Sequence, residues 1–325
     1  MHRKNNWSSV SNWLGRYGTF SALLIITASF LIFIPNFRSF SNFKALMFQV
    51  SMLVIVSAGL TIVFSVGETD ISTGAIVSLS GVFAAFLMVK NVSPIFAIVI
   101  TILGGVILGA MNGIMIGYLR VPALLGTFVT SIIALGINYL LGLGSSIRIT
   151  KELSGDFYLS LGGGYLLGIP IPFIFAVIIT VILLILLEKT KWGLRMYAVG
   201  GNREAAVTFG INIRKVKLAA FIISGFCSSI AGLLLSARLG AGSPIGGDAY
   251  TLDAIAATFV GVSMFREGEP HIGGTILGVL IMGILVNGMR LLGISYEMQI
   301  ILRGLFILAA VATAGKRALF RTKLF

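Results

Sequence analysis

Pro94-Ile95-Phe96-Ala97-Ile98-Val99-Ile100-Thr101-Ile102-Leu103-Gly104-Gly105-Val106-Ile107-Leu108-Gly109-Ala110-Met111-Asn112-Gly113-Ile114-Met115-Ile116-Gly117 runs without a charged side chain. A helix needs about 20 mostly apolar residues to cross the hydrocarbon core of a bilayer, and this stretch is long enough. Gly105, Gly109, Gly113 and Gly117 recur every fourth residue. On a helix that spacing makes a smooth strip along one face. Another backbone can lie closely against it, which is how helices associate in lipid. The strip is therefore expected to be a packing surface rather than a ligand site.

The rest of the chain reads the same way. It has 325 residues, 57% hydrophobic and only 11% charged, against about 25% charged in an average soluble domain. Mean hydropathy is +1.02. So few charges cannot cover a water-soluble surface of this size, so the fold class is all-α integral membrane. Ten segments have the length and character of spans, at roughly 18–35, 45–67, 71–89, 94–118, 122–143, 169–187, 217–237, 251–265, 272–291 and 296–314. The eighth is short and reads as a broken or tilted helix. The strand alternation of a lipid-facing barrel is not visible.

Residues 1–17 are expected to form a cytoplasmic or interfacial segment. Trp7, Val10, Trp13, Leu14 and Tyr17 recur there at helical spacing, as in an interfacial helix or an ordered tail with aromatic anchors. No small-residue cleavage site follows the long apolar run after Arg16, which argues against a removed signal peptide. Residues 18–315 are expected to form a single transmembrane domain with a cytoplasmic loop at 188–217, and 316–325 a basic cytoplasmic tail.

The net charge is +13. With the N-terminus inside, the cytoplasmic segments collect most of the basic residues, including Arg120, Lys189, Lys191, Arg195, Arg203, Arg214, Lys215, Lys217 and Arg266. The outer segments hold Arg38, Lys44, Lys90, Arg148, Lys151 and Arg238. Cytoplasmic loops carry such an excess, and an even number of spans puts both termini inside. The charge thus marks one membrane face and does not point to nucleic acid.

One cysteine and two histidines exclude a disulfide framework and the usual metal spacings. Neither a metal site nor a cofactor is expected. The nucleophile elbow, the zinc-protease motif and the phosphate loop are all missing, since Gly315-Lys316 is followed by Arg317. No catalytic residue is assigned, and the chain shows no energy source of its own.

An internal repeat is expected. Gly104-Gly105-Val106-Ile107-Leu108-Gly109 resembles Gly273-Gly274-Thr275-Ile276-Leu277-Gly278. Gly74-Ala75-Ile76 through Gly81-Val82 resembles Asp253-Ala254-Ile255 through Gly261-Val262, with one residue of slippage. Spans three and four pair with eight and nine. The odd offset of five spans makes the two copies inverted, as in many transporters. The competing explanation is chance recurrence of Gly, Ile and Leu in a membrane chain.

The polar residues within the spans are few. Asp70, Asn112, Asp253 and Asn287 are assigned to the translocation pathway or its gating. Glu68-Thr69-Asp70 interrupts two apolar spans with almost no room for a loop. Asp70 either caps span three or marks a polar break beside a water-filled cavity, and the two can coexist. Asp253 opens span eight after the Gly240–Gly247 loop, where capping is again the simpler role. His271, in a short turn, is read as a solvated side chain.

In the 188–217 loop, Asn202 can cap a short helix from Arg203 to Phe209 that ends at Gly210. Ala205, Ala206, Val207 and Phe209 would give it a small apolar surface. Such a surface is buried by a partner, or the helix lies flat on lipid headgroups.

Arg195-Met196-Tyr197-Ala198-Val199-Gly200-Gly201-Asn202-Arg203-Glu204-Ala205-Ala206, then Gly210-Ile211-Asn212 and Lys215-Val216-Lys217, resembles the coupling region of the ABC-transporter permeases for ribose and other monosaccharides. The similarity continues through Ile223-Ser224-Gly225, Ser243-Pro244, Tyr250 to Ala257, and Leu291-Leu292-Gly293-Ile294. Upstream, Asp70-Ile71-Ser72-Thr73-Gly74 resembles that family's Asp-Leu-Ser-x-Gly element. The resemblance implies a type II importer-like fold without catalysis on this chain. It implies a bacterial cytoplasmic (inner) membrane location and two permease copies, alike or related. Beneath them a cytoplasmic ATPase subunit or fused double ATPase would grip the segment Gly201, Asn202, Arg203, Glu204, Ala205, Ala206, Val207, Phe209 and Gly210. An extracytoplasmic sugar-binding protein would deliver the cargo, and membrane lipid would surround the whole.

Two departures bear on cargo and partner. Glu68-Thr69-Asp70 stands where the family usually has Gly-Gly-Ile-Asp, and Phe265-Arg266-Glu267-Gly268-Glu269-Pro270-His271 replaces a glycine-rich loop. The alternatives are an ABC permease for a non-sugar or autoinducer-2-like cargo, and an ion-coupled secondary transporter using Glu68, Asp70 or Asp253.

Overall fold

The computed structural model describes residues 21, 23–262, 269–306 and 308. The expected N-terminal segment 1–17, the tail 316–325 and residues 265–268 of the departing loop lie outside the described residues. In chain order the helices are α1 (Leu23–Phe33), α2 (Phe40–Ser65), α3 (Thr73–Val89), α4 (Pro94–Gly117), α5 (Ala123–Gly142), α6 (Lys151–Gly163), α7 (Ile171–Lys189), α8 (Lys191–Gly201), α9 (Arg203–Thr208), α10 (Ile213–Leu239), α11 (Asp248–Val262), α12 (Ile272–Leu291) and α13 over 296–306. Six of them, α2, α4, α5, α7, α10 and α12, are long and apolar enough to cross a membrane. The protein is a multi-pass membrane protein, and its described residues are helical apart from four two-residue strands and the connecting turns.

Contacts group the chain into two compact units: Met47–Ile255, and the described residues of Met1–Leu46 with Ala256–Phe325. In the first unit α4 shows how a membrane helix sorts its residues. Ala97, Thr101, Gly105, Gly109, Gly113 and Gly117 are buried, while Ile95, Val99, Leu103, Ile107 and Ile114 are exposed. The small residues face protein and the large aliphatic ones face outward, as expected where lipid removes the usual hydrophobic reason to bury them. A Cβ built at Gly113 would lie 2.7 Å from Leu218 Cα, and one at Gly105 2.8 Å from the carbonyl oxygen of Gly225. Gly109 meets the carbonyl of Phe221, and Gly117 that of Arg214. The whole strip therefore lies against α10. On another face of α10, a Cβ at Gly59 of α2 would come within 2.7 Å of Cys227 Cβ, and this free cysteine is fully buried.

Another core of this unit joins Ala84, Ala85 and Met88 of α3, Ala97 of α4, Tyr158 of α6 and Leu233 and Ala237 of α10. The Tyr158 hydroxyl is satisfied there, bonded to Ser236 Oγ at 2.6 Å. Helix α6 was expected to be loop. Its Gly155 sits at φ +62°, between two shorter helical pieces, so the segment has no continuous apolar run to betray it. The following strands, Tyr165–Leu166 and Ile169–Pro170, pair antiparallel. They are joined by Leu167 and Gly168 at φ +52° and +80°, the left-handed pair a two-residue hairpin requires.

The second unit has its own core of Ile34, Phe37 and Ile284, with Phe30, Leu46 and Leu291 against it. Asn42 and Asn287 exchange two side-chain amide bonds, at 3.0 and 2.9 Å. Gly274 packs on Gly261, and Gly278 on Ala257. His271 is not a solvated loop residue: its Nδ1 accepts the Gly273 N–H at 3.0 Å and caps α12.

Candidate functional site

Helix α2 ends because Gly67 can adopt φ +74°. Glu68 N then donates to Val63 O (3.2 Å) and Gly67 N to Phe64 O (3.0 Å), the paired bonds of a Schellman cap. This turn delivers Glu68-Thr69-Asp70 into the interior, and α3 begins at Thr73.

Asp70 is fully buried. Its Oδ1 accepts from Ser72 N (2.9 Å) and Ser72 Oγ (2.6 Å), and its Oδ2 from Ser224 Oγ of α10 (2.8 Å). Ser72 Oγ in turn accepts from Asn112 Nδ2 of α4 (2.8 Å), and Asn112 Oδ1 accepts from Thr130 Oγ1 of α5. One polar chain thus crosses α5, α4, the α2–α3 break and α10, every member buried. Asp70 bonds the residue before α3 and reaches none of the helix's own amides through any bond described. The Gly74 amide is met instead by Thr251 Oγ1 at 2.9 Å. Sequence spacing suggested the cap but not this acceptor, 177 residues away.

Among the bonds described, the four residues assigned to the pathway do not form one cluster. Asp70 and Asn112 belong to the chain just described. Asn287 bonds Asn42. Asp253 is partly buried and lies in the second turn of α11, which starts at Asp248. It therefore does not open that helix, contrary to the sequence reading.

A second polar group lies at the other end of the break. Glu68 Oε1 accepts from Arg203 Nη2 and from Lys217 Nζ, each at 2.6 Å. The side chains of Glu68 and Lys217 are only 10% exposed, whereas Arg203 is 52% exposed. Arg203 is the first residue of α9, and Lys217 lies in the second turn of α10. The family resemblance singled out Glu68 as a departure, but nothing local announced its partners.

Asn202 caps α9, its Oδ1 accepting from Ala205 N at 3.0 Å, and Gly210 follows at φ +74°. The helix ends at Thr208 rather than Phe209. Its faces are sorted: Ala206 is buried, Val207 is 60% exposed and Phe209 84%. Ala206 therefore anchors the helix to the protein, and the apolar tip is Val207 and Phe209. Helix α8, not foreseen, precedes it. Thr190 caps α8 by accepting from Trp192 N and Gly193 N, and Gly193 is required because a Cβ there would strike the Leu187 carbonyl.

Residues 42–311 match the family model described as branched-chain amino acid transport system / permease component. The ribose import permease protein RbsC of Haemophilus influenzae is 36% identical over 95% of this chain and 96% of that protein. The D-allose transport system permease protein AlsC of Escherichia coli is 35% identical, covering 91% of this chain and 90% of its own. The L-arabinose transport system permease protein AraH of the same species is 32% identical over 95% and 92%. No solved structure matches the chain significantly. The chain belongs to the branched-chain amino acid transport system / permease component family, whose members are membrane transport subunits and not catalysts.

Proposed function

We infer that the chain is the permease subunit of an ATP-driven, binding-protein-dependent importer of a monosaccharide such as ribose. The observation that carries this reading is α9, a capped helix of six residues whose Val207 and Phe209 stand 60% and 84% exposed inside a basic loop. An apolar tip of that kind on a basic loop fits a protein partner, and a cytoplasmic ATPase, single or fused, would cover it along Gly201–Gly210. The names of the ribose, allose and arabinose permeases support a sugar cargo.

The reading includes about ten spans in two inverted halves, both termini cytoplasmic, in a bacterial inner membrane. A second permease copy, identical or related, would complete the pathway, and a sugar-binding protein would feed it from outside. Asp70 and Asn112 line or gate that pathway in this reading, with Asp253 and Asn287.

Affinity purification of the tagged chain from gently solubilised native membranes, followed by mass spectrometry, tests the assembly. An ATPase bearing nucleotide-binding motifs in the eluate is expected. A chain that still drives uptake with no ATPase present, and loses uptake when the ion gradient is collapsed, would instead establish ion-coupled transport.

A further inference from the structure

The break after α2 carries two acidic residues with different surroundings. Among the described residues Asp70 accepts from neutral donors alone, whereas Glu68 accepts from two cations on a single oxygen. One cation begins α9, and the other lies near the start of α10. Backbone contact follows the same line. A Cβ at Gly200, near the end of α8, would meet the carbonyl of Ser65 and come within 3.1 Å of Gly67 N. The end of α8 therefore rests on the Schellman turn, and Glu68 ties Arg203 and Lys217 to it.

We propose that Glu68 is a positioning residue that fixes α9 to the α2–α3 break, so that displacement of α9 is passed to the polar chain beginning at Asp70. The proposal rests on α9 being the ATPase-docking helix. The physical reason lies in the geometry. Only Thr69 separates Glu68 from Asp70, and the Schellman bonds hold Glu68 N to α2. The carboxylate cannot swing away from Arg203 without also leaving Lys217, whose side chain is 10% exposed. Breaking a buried pair by removing one partner strands the other charge. Arg203, half exposed, can be moved from outside, and Glu68 carries that movement inward. Through Ser72, Asn112 and Thr130 the break is bonded to α4 and α5, and through Ser224 to α10.

The test places a thiol reporter in the break. Thr69→Cys is introduced into the full chain, whose own cysteine is buried, and the complex with the copurified ATPase is labelled with a maleimide. Labelling is timed with and without a non-hydrolysable ATP analogue. Nucleotide is expected to change the rate in the parent by roughly fivefold, the scale of coupling that a single contact carries. Glu68→Gln should abolish most of that change, Arg203→Gln should do the same, and Glu68→Asp should restore it. Arg203→Gln alters only the exposed partner and keeps the experiment informative where Glu68→Gln gives no folded protein. An equal nucleotide response in parent and both Gln variants, or none in the parent, overturns the proposal while the docking reading stands. If no ATPase copurifies, the docking reading falls and this one with it.

Discussion

Gly104-Gly105-Val106-Ile107-Leu108-Gly109 in α4 and Gly273-Gly274-Thr275-Ile276-Leu277-Gly278 in α12 differ at a single position, yet they are packed differently. In α4 the contact runs through Gly105, Gly109, Gly113 and Gly117 and falls on α10, far along the chain. In α12 it involves Gly274 and Gly278 and falls on α11, the preceding helix. The same short text therefore specifies a close approach without specifying the helix that approaches. The partner is chosen by what the rest of each unit offers, including the small residues Gly225 and Ser229 of α10 and Gly261 and Ala257 of α11.

The sharpest way to break this comparison is Gly109→Leu. A Cβ alone already meets the Phe221 carbonyl, and α4 is held at four places along the strip, so it cannot shift. A loss at or above the upper end of the roughly 1–3 kcal/mol typical of overpacking is expected, read as a collapse in monodisperse yield and in melting temperature in detergent. Normal yield and activity would mean that the strip does not hold α4 on α10. Gly278→Leu is expected to cost less, because only two glycine contacts must yield in α12. Equal losses in the two variants would make the strips equivalent and the contrast empty.

Asn112 within the α4 strip and Asn287 beyond Gly278 of α12 extend the test. Asn112→Ala leaves Ser72 and Thr130 short of a buried partner, at about 1–3 kcal/mol. Asn287→Ala should cost less, since Asn42 and Asn287 are 9% and 5% exposed whereas Ser72, Asn112 and Thr130 are 0% exposed. Thermal melts of the two single variants rank them, and the reverse order would contradict the burial described. Asp70→Asn is a milder change. The amide oxygen still accepts from Ser72, and the Ser224 hydroxyl can turn to accept from the new NH2. Folding and sugar uptake in vesicles are expected within about threefold of the parent, a shift of under ~1 kcal/mol. Loss of uptake with normal folding would instead point to a requirement for the charge. The smallest effect is expected at Gly104→Ala. A Cβ there meets only Phe83, at 3.9 Å, and alanine is the better helix former by up to about 1 kcal/mol. A clear destabilisation would show that the strip is wider than one residue.

These contrasts also mark how far the sequence could be read. Continuous apolar runs revealed the long helices, and the capping signal at Asn202 with the stop at Gly210 revealed α9. Helix α8 was hidden because Gly193, Gly200 and Gly201 read as breakers. In fact Gly193 and Gly200 sit where a side chain would collide with the Leu187 and Ser65 carbonyls. Helix α6 was hidden by polar composition and by the kink at Gly155. At the site, Asp70 and Asn112 were singled out for being polar among apolar neighbours. Their joining through Ser72, and the gathering of Arg203 and Lys217 on Glu68, depend on contacts between residues 40 or more apart, which periodicity does not encode.

The reciprocal amide pair of Asn42 and Asn287 has a mechanical consequence. Each side chain is donor and acceptor to the other, so both bonds share one alignment. Sliding α12 by a single residue would move it about 1.5 Å and turn the side chain by about 100°. Such a step would break both bonds. The pair therefore ties α12 to the start of α2 in a single register.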